Sequence, residues 1–144
     1  KNVPENLKGL RTMFLSFHHF QPKNAKMILQ NAINSNQPIA VLEIQDRSLP
    51  SIVAMLLSPV SVLFTTPFIR PFRWSRLFFT YLIPIVPFVV LWDGIVSALR
   101  TYTVEEMRNL INSLENNTAF EWNFNKKKSK TGFVIYTIGI PKKQ

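Results

Sequence analysis

The apolar positions of this chain fall in runs whose spacing changes from segment to segment. Residues 10–17, "LRTMFLSF", form a short, mostly apolar run of strand length. In "QPKNAKMILQNAINSN", Ala25, Ile28, Leu29, Ala32 and Ile33 recur at helical spacing, with Pro22 near the start and Asn34, Ser35 and Asn36 at the stop. That pattern predicts a helix. Pro38 to Ile44, "PIAVLEI", is a second apolar, β-branched run. Strand, helix and strand, with strands apolar on both faces, predict a parallel pair in a helix-covered sheet.

The pattern then loses its polar positions. Residues 48–69 contain no charged residue, a length that reaches the range of a membrane span, but Pro50, Pro59 and Pro67 interrupt it. "RPFRWSR" supplies Arg70, Arg73, Trp74 and Arg76, and residues 77–92 are apolar again, with Pro84 and Pro87. Two broken apolar arms around a basic, aromatic elbow fit a surface-inserted or substrate-covering element better than a straight span. Arg70, Arg73, Trp74 and Arg76 are the candidates for membrane or anion contact, rings at headgroup level and guanidinium groups on phosphate. A self-buried helical insertion and a spanning hairpin are the alternatives.

Beyond the insertion, Asp93, Ser97 and Arg100 lie at i, i+4 and i+7 and share a helix face. "TVEE" from Thr103 predicts a capping box, and Met107, Leu110, Ile111 and Leu114 line one side of the helix behind it. Phe120, Trp122 and Phe124 then alternate with Glu121, Asn123 and Asn125. The chain is expected to turn through the lysines and Gly132 into "FVIYTIGI", apolar on both faces. This is a β-hairpin with a central second strand and a first strand nearer an edge.

With 144 residues, 47% of them hydrophobic, the chain holds one domain's worth of core. The segmentation is 1–47 (strand, helix, strand), 48–102 (apolar helical insertion) and 103–144 (helix and closing hairpin). The absence of cysteine excludes a disulfide framework and thiolate metal sites and fits a reducing, cytoplasmic setting, with peripheral contact at the inner membrane face as an extension. The +9 charge is spread evenly: 6 basic and 3 acidic groups over 1–47, 4 and 1 over 48–100, 7 and 4 over 101–144. An even spread gives no stripe for nucleic acid. Only "KKKSK", Lys126 to Lys130, is a cluster, and it reads as a solvated turn more readily than as a phosphate patch.

The order of elements and several segments resemble the C-terminal half of a class I S-adenosylmethionine-dependent methyltransferase, an α/β, Rossmann-like sheet. "GLRTMFLSFHHF" resembles the family's fourth strand, "PIAVLEIQDRS" the fifth, and "FEWNFNKKKSKTGFVIYTIGIPKK" the sixth and seventh. The stretch from "RWSRLFF" to "TVEEM" is similar to a bacterial methyltransferase-like group that carries this apolar insertion. The resemblance implies S-adenosylmethionine as cofactor in an intact protein and a small, hydrophobic acceptor. The family's cofactor loop is rich in glycine because the backbone must approach the cofactor closely. Here the four glycines, Gly9, Gly94, Gly132 and Gly139, are well separated. This implies a half that supplies the substrate side, with no cofactor expected on it alone. Such a half-sheet leaves an open edge and a bare apolar face, and predicts self-association into a homo-oligomer.

Ligands of open α/β sheets sit beyond the carboxyl ends of the strands. His18 and His19 follow the first strand at that end and are the candidate catalytic residues. The resemblance implies a histidine there that removes the acceptor's hydroxyl proton. A histidine's unperturbed pKa of about 6.5 suits that task. Their structural alternative is one ring packed on the helix and one ordering the loop. Glu43 and Asp46, at the end of the next strand, and Trp92, Asp93 and Arg100, at the end of the insertion, are candidates for binding substrate. For Asp46 a loop ion pair with neighbouring Arg47 is an equal alternative, and for Asp93 and Arg100 a surface salt bridge. Two adjacent histidines with no spaced third ligand make no metal site. The rival from another class is a noncatalytic membrane-associated or interaction domain on the same sheet.

Overall fold

The structure, a computed structural model, describes every residue except 1–2, 5–6, 130–131 and 143–144, and not the side chain of residue 129. It is a mixed α/β protein that divides into two units: 1–46 with 100–144, and 47–99.

The first unit is built on a four-stranded mixed sheet. β1 (Arg11–Phe14) pairs in parallel with β2 (Ile39–Glu43), Arg11 beside Ile39 and Phe14 beside Leu42. α1 (Pro22–Asn34) connects them, starting with Pro at its first position, where a missing N–H costs nothing. β3 (Phe120–Ser129) and β4 (Gly132–Pro141) form the closing hairpin. β4 runs antiparallel to both β2 and β3, so the order across the sheet is β1-β2-β4-β3. The second hairpin strand is therefore central and the first lies at an edge. β1 is the opposite edge.

The core sits on one face of this sheet. Ala25, Leu29, Ala32 and Ile33 of α1 pack with Ile39 and Val41 of β2, with Phe120, and with Met107, Ile111 and Leu114. The helix carrying Met107 and Ile111 spans Val104–Asn112 and is α6 in the chain. Its capping box is formed: the Glu106 N–H donates to the Thr103 hydroxyl at 3.1 Å, and the Thr103 N–H donates to the Glu106 carboxylate at 2.9 Å. On the other face Phe14 and Ile140 are exposed, and Leu42, Val134, Tyr136 and Ile138 are half-buried.

Two details differ from the sequence expectation. The first apolar run is strand only as far as Phe14, because Leu15 takes a left-handed φ of 49° and ends the extended backbone. Lys126, Lys127 and Lys128 lie within β3, opposite Ile135, Val134 and Phe133, rather than in the turn. β4 extends to Gly132 and offers them pairing partners, and a strand edge holds charged side chains readily. Lys130, the last lysine of that cluster, lies outside the described residues.

The second unit contains α2 (Leu49–Leu56), α3 (Ser58–Thr65), α4 (Trp74–Leu77) and most of α5 (Ile85–Arg100). Pro50 and Pro59 stand in the first turns of α2 and α3, so they start helices rather than break one. By length and composition Leu49–Phe68 reaches what a bilayer crossing requires, with 6% of that window buried. The second apolar arm is bent by 76° between Trp74–Leu82 and Ile85–Arg100. A π-helical turn, Phe78–Leu82, precedes that bend.

Candidate functional site

The carboxyl ends of β1 and β2 point the same way, so whatever follows each strand meets at one rim. After Leu15 the chain tightens into a single 3-10 turn, Phe17–His19. The last residue of β2 is Glu43, buried to 4% exposure, and it reaches under that turn. Its Oε1 accepts the main-chain N–H of Phe17 at 2.7 Å and that of His18 at 3.3 Å. Its Oε2 lies 2.9 Å from Nδ1 of His18, itself 6% exposed. A carboxylate that collects three donors fixes both the turn and the imidazole ring of the histidine. With the carboxylate accepting, Nδ1 is the donating ring nitrogen and Nε2 is left as the second nitrogen of the ring.

Neighbouring side chains complete the cradle. Phe17 is fully buried and lies against Tyr102, ring centroids 5.4 Å apart. The Tyr102 hydroxyl donates to the carbonyl of Phe20 at 2.7 Å, tying down the exit of the turn. His19 is exposed, and its ring lies 4.2 Å from that of His18. The two histidines thus differ in kind: one is clamped and buried, the other open to solvent.

Asp46 is also buried, and its carboxylate pairs with the Lys126 ammonium. Lys126 in turn lies over the ring of Phe133, 4.1 Å from its centroid. This pair joins the loop after β2 to the hairpin. Arg100 is exposed at the end of α5. Trp92 and Asp93, in the second unit, are exposed as well.

In that unit the basic elbow is shaped by one of its own arginines. Arg76 donates to the carbonyls of Ile69 at 2.8 Å and Pro71 at 3.1 Å. Trp74 packs edge-on against Phe72, centroids 5.2 Å apart, and both remain exposed, as do Arg70 and Arg73.

The structure therefore brings His18 and Glu43 together and links Asp46 to a lysine that the sequence reading assigned to a turn. Phe17 and Tyr102 had no sequence signal, since one belongs to an apolar run and the other only precedes a helix cap. No group of three or more metal-ligating side chains occurs among the described residues. Gly9 precedes β1, Gly94 lies inside α5, and Gly132 and Gly139 lie in β4, so none stands in the turn after a parallel strand. No protein-family model, curated protein or solved structure matches the chain.

Proposed function

We propose that this chain is the acceptor-side half of a methyltransferase-like, Rossmann-like sheet, with His18 as the base that takes a proton from a small, hydrophobic acceptor. The observation that carries the reading is the buried His18–Glu43 pair at the carboxyl ends of two parallel strands. There a clamped imidazole presents Nε2 as a proton acceptor. The strand order, a parallel pair followed by an antiparallel hairpin, supports it as well. Glu43 acts as a positioning residue: it sets the orientation of the ring through Nδ1. The cofactor side is assigned to polypeptide outside these residues.

The test is a transfer assay with radiolabelled S-adenosylmethionine on the product of the complete reading frame, using phenolic and quinol acceptors. His18→Gln is expected to lower kcat by about 100-fold or more, with cofactor affinity unchanged. No transfer by the unsubstituted protein, or an undiminished kcat in His18→Gln, overturns the proposal. A second reading, a noncatalytic membrane-associated domain on the same sheet, is favoured by the two main-chain N–H groups that Glu43 accepts, since they give the pair a purely structural use.

A further inference from the structure

The unit 47–99 is built inside out. Its buried residues are Thr66, Thr80, Pro87, Gly94, Ser97 and Ala98, all small, polar or both, and no large apolar side chain is among them. The large apolar ones face outward: Phe64 is 74% exposed, Phe68 81%, Trp74 78%, Leu82 71% and Trp92 73%. Water-soluble proteins rarely leave apolar patches wider than a few hundred Å². Small residues inside and large apolar ones outside are the order found where the surroundings are lipid.

Several polar groups of the unit bond within it, whereas the buried hydroxyls of Ser58 and Thr80 have no partner. The hydroxyls of Thr65 and Thr66 donate to the carbonyls of Ser61 and Val62, at 2.8 and 2.7 Å. The Tyr81 hydroxyl donates to the carbonyl of Leu63, and Arg76 serves two carbonyls of the elbow. Internal satisfaction of donors is what a water-poor medium demands. Between residues 48 and 92 the only charges are Arg70, Arg73 and Arg76, and all three stand in the elbow between the arms. Cations without any acid beside them complement an anionic headgroup layer.

From these observations we propose that the unit 47–99 is a monotopic anchor that lies in one leaflet of an anionic phospholipid bilayer, with Arg70 and Arg73 at the phosphates and the two apolar arms among the upper acyl chains. The bend in the second arm selects this arrangement over a crossing hairpin. Both ends of the insertion return to the same sheet unit, so a single crossing is excluded and a span would need both arms to traverse the core. The first helical piece of the second arm, Trp74–Leu82, spans only about 14 Å before the 76° bend, under half of a hydrocarbon core of about 30 Å. With the second arm too sharply bent to cross, the arginines at the middle of the insertion meet phosphate in the leaflet that the arms enter, and both arms run shallow.

The test floats the purified full chain with vesicles of phosphatidylcholine alone or with 30 mol% phosphatidylglycerol. Binding is expected to the anionic vesicles, to weaken with salt, and to fall about fivefold for each of Arg70→Gln and Arg73→Gln. Both arginines are exposed, so circular dichroism is expected to show these variants folded. Depth is read with Ser75→Cys, the only thiol in a chain without cysteine, and an impermeant maleimide added outside the vesicles. Labelling supports the in-plane anchor, and protection, the mark of a crossing hairpin, overturns it. Equal binding to both vesicle types, or no flotation of a chain that instead dimerises, overturns it too.

Discussion

At the scale of single residues, the sequence set two histidines side by side and could not rank them, because adjacency says nothing of which ring a turn will bury. The ranking comes from Glu43, 25 residues away from His18, whose carboxylate only a parallel strand pair brings under the turn. Glu43 satisfies two buried main-chain donors and one ring donor, whereas His18 contributes a single side-chain bond here. Removing an acceptor strands every donor that it served, at about 1–3 kcal/mol for an unsatisfied buried group. Glu43→Ala is therefore expected to lower unfolding stability by about 3 kcal/mol, and His18→Ala by clearly less. Urea titrations followed by tryptophan fluorescence check the order, and equal losses would remove Glu43 as the clamp of the turn. Asp46 teaches the same lesson, since its lysine partner lies 80 positions on and was invisible to any local reading.

At the scale of elements, what was legible was local. The helix over Pro22–Asn34 and the capping box at Thr103 follow from spacing and from one turn of chain, and both formed as expected. The end of β1 was not legible, because a positive φ at Leu15 is imposed by the turn that Glu43 holds and not by leucine itself. Two glycines show how packing separates positions that sequence treats alike. A Cβ on Gly139 in β4 would lie 2.7 Å from Cε3 of Trp122, a ring already stacked on Phe120. A Cβ on Gly94 in α5 would meet the sulfur of Met55 at 2.8 Å, part of a flexible, half-buried side chain rather than a stacked ring. Gly139→Ala is expected to destabilise by about 1–3 kcal/mol through overpacking. Gly94→Ala is expected to be neutral or stabilising by up to about 1 kcal/mol through helix propensity. Thermal unfolding of the two variants checks the contrast, and a loss at Gly94 as large as that at Gly139 would refute it.

At the scale of the whole molecule, the two units differ in where their free energy resides. The sheet unit has a contiguous core, from Leu29 and Ile39 to Met107 and Phe120, all within a few per cent of complete burial. Its alternating and helical patterns made that core readable. The insertion lacks polar alternation altogether, so nothing in its sequence said which side chains would turn inward, and the small ones did. A unit without a buried large apolar side chain has little to oppose opening in water, because burial is the main term that offsets chain entropy. Its amides therefore open at low cost, whereas those of the central strands open only with the global transition. Hydrogen exchange of the chain in buffer is expected to label Leu49–Thr65 at least about 100-fold faster than Val41 and Thr137, which pair across β2 and β4. Anionic vesicles are expected to slow exchange over residues 49–92 and leave the sheet unchanged. Equal protection of both units in buffer would mean that the insertion carries a core of its own, and the lipid-facing reading of its surface would fall with it.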